Sequence, residues 1–288
     1  MILVTSAYGN NGRRLIPRLA AKGLEVRALN LSDKTEEIKE LGAKEVIVGN
    51  VLDPLTLNKA MVDVESVFHV GPSFHPQEAE MGIAVINAAS AAEVEHFVYD
   101  SVLHPQISAL LQHRMKLIVE EHLINSNLNY TILQPMHYMQ NINISNVYRE
   151  GLFIQASALE TRLSFVDMDD KIEVATKVLT EEGHYGATYE LCCADYLNAI
   201  EIAEIMTKVF GKKIKPLLVP KKLIISRFQK AYPDYGDYPA QGFNALFDYY
   251  SEYGFFGNQN VLKWLLGRKP TTLEEYIEKE FDKISKIR

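Results

Sequence analysis

The sequence has 288 residues, 47% of them hydrophobic and 23% charged, with a formal net charge of −7. That is chain enough for one large domain or a large and a small one, with the composition of a globular fold. The acidic balance excludes a nucleic-acid face, which needs positive charge against phosphate, and no apolar stretch approaches the ~20 residues of a membrane span.

The first predicted element is a strand at 2–4, with no basic segment ahead of it such as opens a secretory signal. It runs into Thr5-Ser6-Ala7-Tyr8-Gly9-Asn10-Asn11-Gly12 and a helix predicted over 11–22, where Leu15, Ile16, Leu19 and Ala20 recur at helical spacing. Further strands are predicted at 25–29, 45–48, 66–70, 96–99 and 130–133, with helices over 79–91 and 112–125. Strands alternating with helices make βαβ units, whose crossovers are right-handed. The fold class expected is therefore α/β, a doubly wound, mostly parallel Rossmann sheet, with ligands at the carboxyl ends of its strands. The adjacent Cys192 and Cys193 follow Tyr189-Glu190-Leu191 in what reads as a buried strand. They match no zinc spacing and no ordinary disulfide, so they read as core, and a reducing, cytoplasmic setting without a metal site is expected. Beyond about residue 195 the texture changes. A helix is predicted over 197–210, stopped by Gly211, and an aromatic stretch follows over 232–256 with Tyr235, Tyr238, Phe243, Phe247, Tyr249, Tyr250, Tyr253 and Phe255. The last helix opens at Pro270-Thr271-Thr272-Leu273-Glu274, with Thr271 and Glu274 expected to form a capping box.

The sharpest motif is the turn from Thr5 to Gly12. A helix N-terminus offers unpaired N–H groups and the positive end of the dipole, so a pyrophosphate belongs there. Gly9 lets the backbone approach it, and Gly12 lets helix and strand pack closely. The alternative is a tight strand-to-helix turn with no ligand.

This turn resembles the Thr-Gly-x-x-Gly-x-x-Gly loop of the extended and atypical short-chain dehydrogenases, with Ser6 standing where that pattern has its first glycine. Gly49-Asn50-Val51-Leu52-Asp53, Val67-Phe68-His69-Val70-Gly71-Pro72, Asp100-Ser101-Val102-Leu103-His104-Pro105 and His113-Arg114-Met115-Lys116 are similar to their NmrA-like branch. The most specific piece is Tyr130-Thr131-Ile132-Leu133-Gln134-Pro135-Met136-His137-Tyr138-Met139-Gln140-Asn141. Phe165-Val166-Asp167-Met168-Asp169-Asp170, Thr188-Tyr189-Glu190-Leu191 and Pro270-Thr271-Thr272 carry the resemblance through the tail. It implies an NAD(P)-binding Rossmann domain over 1–195, with 136–160 contributing to the cleft, and a smaller, mostly helical C-terminal substrate or cap domain over 196–288. The dinucleotide would lie against Thr5, Ser6, Tyr8, Gly9, Asn10, Asn11 and Gly12 in the turn, Asn30 and Lys34 after the second strand, and Asn50 and Val51 after the third. Val70, Gly71 and Pro72 follow the fourth strand, and Ser101, Lys116 and Pro135 complete the set.

An acid closing the second strand would bind the ribose 2′-hydroxyl of NAD, whereas a cation accommodates the 2′-phosphate of NADP. Here the strand closes on Asn30 and Leu31, with Arg13, Arg14 and Lys34 near in sequence. NADP is therefore the expected cofactor, with NAD possible. The superfamily's Tyr-x-x-x-Lys pair is incomplete, because Lys116 is present but Gln112 stands where the tyrosine would be. Catalytic candidates are then Lys116, His113 on the same helix face, and Tyr138, with His104 as a further proton donor by position. Two readings follow. One is an NADP(H)-dependent oxidoreductase acting on a small carbonyl or quinone, with the aromatic stretch as part of a lid. The other is a non-catalytic NAD(P) sensor acting through a protein partner. The lysine and the aromatic cap favour the first, and the missing tyrosine favours the second.

Overall fold

The computed structural model describes residues 1–286. In chain order the first half comprises β1 (Ile2–Thr5), α1 (Gly12–Ala21), β2 (Val26–Asn30), α2 (Thr35–Glu40), β3 (Glu45–Val48), α3 (Pro54–Ala60), β4 (Ser66–Val70), α4 (Glu78–Ala91), β5 (His96–Asp100), α5 (Leu111–Ile124) and β6 (Asn129–Pro135). The second half comprises α6 (Ile144–Glu150), β7 (Leu152–Gln155), β8 (Leu163–Ser164), α7 (Met168–Thr180), β9 (Ala187–Leu191), β10 (Tyr196–Leu197), α8 (Ala199–Phe210), β11 (Lys215–Leu218), α9 (Lys221–Ala231), α10 (Tyr238–Tyr253), α11 (Asn260–Leu266) and α12 (Leu273–Ser285).

Seven strands form the main sheet in the order β3-β2-β1-β4-β5-β6-β9. The pairings from β3 through β6 are all parallel. The order reverses at β1, where the chain leaves for β2 on one side and returns to β4 on the other. That is the switch point at which such sheets bind ligands. β1 and β5 are buried along their whole length, as strands covered by helices on both faces must be. Leu3, Val67, Phe97, Tyr99 and Ile132 from the strands meet Val85, Ile86, Val119 and Leu123 from α4 and α5 in one apolar cluster.

The chain divides into two compact units. The first comprises Met1–Ile107, Gln112–Gln134 and Lys171–Tyr189; the second comprises Ser108–Leu111, Pro135–Asp170 and the chain from Glu190 onward. In the second unit, helices α8 to α12 accompany two-stranded pairings of β8 with β10 and of β7 with β11. The aromatic stretch lies largely in α10, and its rings pack on one another and on α9. Phe228 lies 5.1 Å from Phe243, Phe243 lies 5.8 Å from Phe247, and Tyr250 lies 5.4 Å from Phe255.

Local details correct the sequence reading in three places. α8 begins at Ala199 rather than 197, because Asn198 and Glu201 form its capping box and Tyr196–Leu197 is spent in β10. The last helix is capped by Thr272 and Glu275, not Thr271 and Glu274. Thr271 gives its amide to Asp170 at 2.7 Å and its hydroxyl at 3.1 Å. Cys192 and Cys193 are buried but lie just past the end of β9.

Candidate functional site

β1 delivers the turn from Thr5 to Gly12 to the switch point. Thr5 Oγ1 accepts from the Val70 amide at 3.1 Å and lies 2.9 Å from His69 Nδ1, so the ends of β1 and β4 are stitched together. Ser6 has φ +50. A side chain in that left-handed region costs about 1–2 kcal/mol that glycine would not incur. The Ser6 hydroxyl offsets part of this by donating to the Val70 carbonyl at 2.9 Å. The Gly9 amide closes the turn on Ser6 O at 2.8 Å. A Cβ at Gly9 would stand 2.9 Å from that same oxygen, and one at Gly12 would stand 2.2 Å from Ala7 O. Both glycines are thus needed by the turn itself, before any ligand is considered. No side chain caps α1 and no acid sits in its first turn, so the positive end of its dipole faces the loop unneutralised, while the Arg13 and Arg14 amides are taken by Gly9 O at 3.0 Å and Asn11 O at 3.1 Å.

The end of β2 is joined to this loop through Asn30. Its Oδ1 accepts from the Tyr8 amide at 3.1 Å, its Nδ2 donates to Ser32 O at 2.8 Å, and its carbonyl accepts from Gly49 N at 3.0 Å. The Tyr8 ring carries two cations, with the Arg13 guanidinium 5.3 Å and the Lys34 ammonium 5.5 Å from its centroid. Arg13 is steadied by Asn10 Oδ1 at 3.0 Å, and Lys34 by Glu37 at 2.8 Å. Asp33, the nearest acid in sequence, accepts from Thr35 N at 3.1 Å. After β3, Asn50 Oδ1 accepts from Leu52 N at 2.9 Å, shaping the turn that holds Val51.

Below the ends of β4 and β5 lies a buried polar network. Lys116 Nζ stands 2.9 Å from Glu78 Oε1 and 3.4 Å from Asp100 O, and it lies 5.6 Å from the centre of the Tyr99 ring. Burial alone would lower the lysine, but the charge of Glu78 and the groups around it outweighs burial, and its pKa is raised. Lys116 therefore stays an ammonium. Burial also pushes up Glu78, against the pull of Lys116. His113 is buried, and its Nδ1 lies 3.1 Å from His104 O; a carbonyl only accepts, so Nδ1 carries the hydrogen. Burial pushes this imidazole down to about 4, so it is neutral at ordinary pH. Ser101 donates to Glu120, whose oxygens both also accept from Gln134 Nε2 at 3.0 Å. Burial raises Glu120. Gly71 closes the gap to the network, since a Cβ there would lie 3.3 Å from Glu78 Cγ. Pro72 follows it, half-buried.

The first unit therefore gathers Thr5 through Gly12, Asn30, Lys34, Asn50, Val51, Val70, Gly71, Ser101, His113 and Lys116 by contacts or chain adjacency at one end of its sheet. Pro135 ends β6, and it and Tyr138 belong to the second unit, where Tyr138 is half-buried and pairs by backbone with Val166. The sequence reading missed Glu78, Asp100, Glu120, Gln134 and Lys171. A signal existed for two of them. Lys116, Val119, Glu120 and Leu123 share the buried stripe of α5, and Lys171, Ala175 and Val178 share a buried stripe of α7. A charge at a core-facing helical position calls for a partner. Among the described residues no cluster of His, Cys, Asp and Glu is placed to hold a metal ion, and no helix is long and apolar enough to cross a membrane.

Comparison with known proteins supplies the context. Quinone oxidoreductase 2 of Escherichia coli (strain K12) is 27% identical over 289 residues, covering 98% of this chain and 99% of that protein. The crystal structure of the Escherichia coli NADPH-dependent quinone oxidoreductase complexed with NADPH superposes with a TM-score of 0.81 at 25% identity, over 98% of this chain and all of that one. The NAD(P)H azoreductase of Xenophilus azovorans is 28% identical over 223 residues, 75% of this chain and 76% of its own. NmrA, a negative transcriptional regulator crystallised with NADP, shares the fold, with a TM-score of 0.80 at 17% identity over 99% of this chain and 97% of that one. The family model for the NmrA-like proteins matches residues 1–277, and the chain belongs to the NmrA-like family.

Proposed function

We propose that this chain is an NADP(H)-dependent oxidoreductase whose acceptor is a quinone or a similarly small carbonyl compound. The observation that carries the reading is the turn at the head of α1: two glycines with no room for a Cβ, and a helix N-terminus left uncapped by side chains. Such an end holds a pyrophosphate through backbone donors. Preference for the 2′-phosphate is supported by the absence of an acid at the end of β2 and by the two cations on Tyr8. The full-length likeness to a quinone oxidoreductase supports the acceptor class.

When bound, NADPH supplies the hydride. The chain's own residues bind, orient and set charge. Lys116, held as an ammonium by Glu78, contributes a fixed positive charge beside the end of β5 and is not a proton donor at neutral pH. His113, neutral and hydrogen-bonded to His104 O, likewise does not titrate between pH 5 and 8. The proton a quinone needs on reduction is accordingly assigned to solvent or to a hydroxyl. Tyr138, one of the second unit's half-buried phenols, is the candidate for that hydroxyl. The second unit, which holds the aromatic stretch of α10, is assigned the role of substrate domain.

The test is oxidation of NADPH and of NADH by purified protein against quinones, aldehydes and enones. Quinone-dependent NADPH oxidation faster than with NADH is expected. NADPH binding without turnover on any acceptor would replace the enzyme by a dinucleotide sensor.

A further inference from the structure

The charge of the chain is not spread evenly along it. Aspartates and glutamates outnumber lysines and arginines by 37 to 30, yet the stretch from Lys212 to Lys230 holds seven of the cations and none of the acids. Two of the seven are engaged. Lys212 donates to the Tyr148 carbonyl at 2.8 Å, and Lys221 pairs with Asp248. The other five, Lys213, Lys215, Lys222, Arg227 and Lys230, are exposed and make no ion pair among the described residues. Apolar side chains stand in the open among them. Leu217, on the same side of β11 as Lys215, is 41% exposed, Leu223 in α9 is 38% exposed, and Tyr232 at the end of α9 is 45% exposed. Lys222, Leu223, Ser226, Arg227 and Lys230 recur at i, i+1, i+4, i+5 and i+8, so the outward face of α9 carries a leucine among three cations.

Folding alone does not require this arrangement. A helix of 11 residues draws its stability from the face it buries, and in α9 only Ile225 is fully buried. Its first turn has no acid and no side-chain cap, and Lys222 stands unpaired at the positive end of the dipole, where a cation is unfavourable. Cations interleaved with exposed leucine and tyrosine match an anionic lipid surface, which offers phosphates to the first and an apolar boundary to the second. A nucleic acid offers the phosphates but no phase for the leucines. We propose that the outward face of α9, with the Lys215 and Leu217 side of β11, is a docking face for an anionic membrane surface. Leu217, Leu223 and Tyr232 enter the headgroup boundary, and the five unpaired cations face lipid phosphates. The docking is peripheral and reversible, and the acidic balance of the rest of the chain confines it to this face. It lies within the second unit and stands apart from the dinucleotide reading.

The test is flotation of the full chain, without cofactor, on vesicles of phosphatidylcholine alone and of phosphatidylcholine mixed with phosphatidylglycerol. The chain should float with the mixed vesicles and not with the neutral ones, and added salt should release it. Lys222→Gln/Arg227→Gln/Lys230→Gln should lower partitioning about a hundredfold, at about fivefold for each cation. Leu217→Ser/Leu223→Ser keeps every charge and should lower it about tenfold. Both variants change exposed side chains only, so each should keep the wild-type circular dichroism and urea midpoint. Wild-type partitioning by the leucine variant would overturn the bilayer as partner, and so would binding to a short RNA duplex tighter than to the mixed vesicles. No partitioning of the wild type, or equal partitioning onto both kinds of vesicle, would overturn the docking face itself. Because NADPH is left out, failure of the dinucleotide reading would leave these results standing.

Discussion

Replacing Lys116 by methionine keeps most of the side chain's volume and deletes its charge. Glu78, with an ordinary carboxyl value of 4.5 and burial already raising it, then loses the ammonium that stands 2.9 Å away. A carboxylate in that position takes up a proton rather than remain ionised. Holding neutral a group that is ionised in the unfolded chain costs about 1.36 kcal/mol for each pH unit above its unfolded value. At about pH 7 the cost is about 3 kcal/mol, and at about pH 5 it falls below about 1 kcal/mol. The larger figure lies within the roughly 3–5 kcal/mol measured when one partner of a buried pair is removed. The sign follows from linkage: the folded-state value is raised above the unfolded one, so the deficit is absent below about pH 4.5 and grows as pH rises until Glu78 ionises in the fold. Urea unfolding followed by circular dichroism, at both pH values and relative to wild type, measures it. A deficit equal at the two pH values, or below about 1 kcal/mol at about pH 7, would refute the reasoning. Lys116→Met with Glu78→Leu should recover most of the loss, because no buried charge is left unpaired.

Gly9→Ala and Gly12→Ala should separate binding from folding. The first meets Ser6 O at 2.9 Å, so the turn must shift, and it should weaken NADPH binding about tenfold with a smaller loss of stability than the second. The second meets Ala7 O at 2.2 Å and should cost roughly 3 kcal/mol or more in stability, so the reverse ranking in urea unfolding would contradict the geometry. Arg13→Ala/Lys34→Ala should reduce NADPH affinity by about tenfold or more and leave NADH almost unchanged, an effect that weakens in high salt; an equal loss for both cofactors would mean these cations do not read the 2′-phosphate. Burial pushes Cys192 up to about 11 and raises Cys193 further. A disulfide reagent should therefore label neither thiol until the protein is unfolded, and rapid labelling of the native protein would show the segment after β9 to be open.

The sheet was legible because its strands are short apolar runs broken by glycine and by helices of clear period, and strand positions came within one or two residues. The turn was legible because its chemistry is local: Thr5, Gly9 and Gly12 all act within one strand-turn-helix unit. The cap of α12 slipped by one residue, since Thr271 and Thr272 both precede a glutamate by three, and only the distant Asp170 decides between them. The pairings inside the buried network were illegible for the same reason. Glu78 and Lys116 are 38 positions apart, and Asp100 and Lys171 are 71 apart. Glu78 also opens a helix, where an acid needs no partner to be explained.

A glycine at position 6 would leave the turn free to explore both signs of φ before any ligand arrives. Ser6 admits few such states, and its bond to Val70 O ties the turn to the next strand. The entropy of ordering the turn is thus lost once, during folding, rather than at each binding event. Flexibility removed in this way shows in the partition of the binding free energy. Ser6→Gly should bind the dinucleotide with a more unfavourable entropy, even where the overall affinity shifts little.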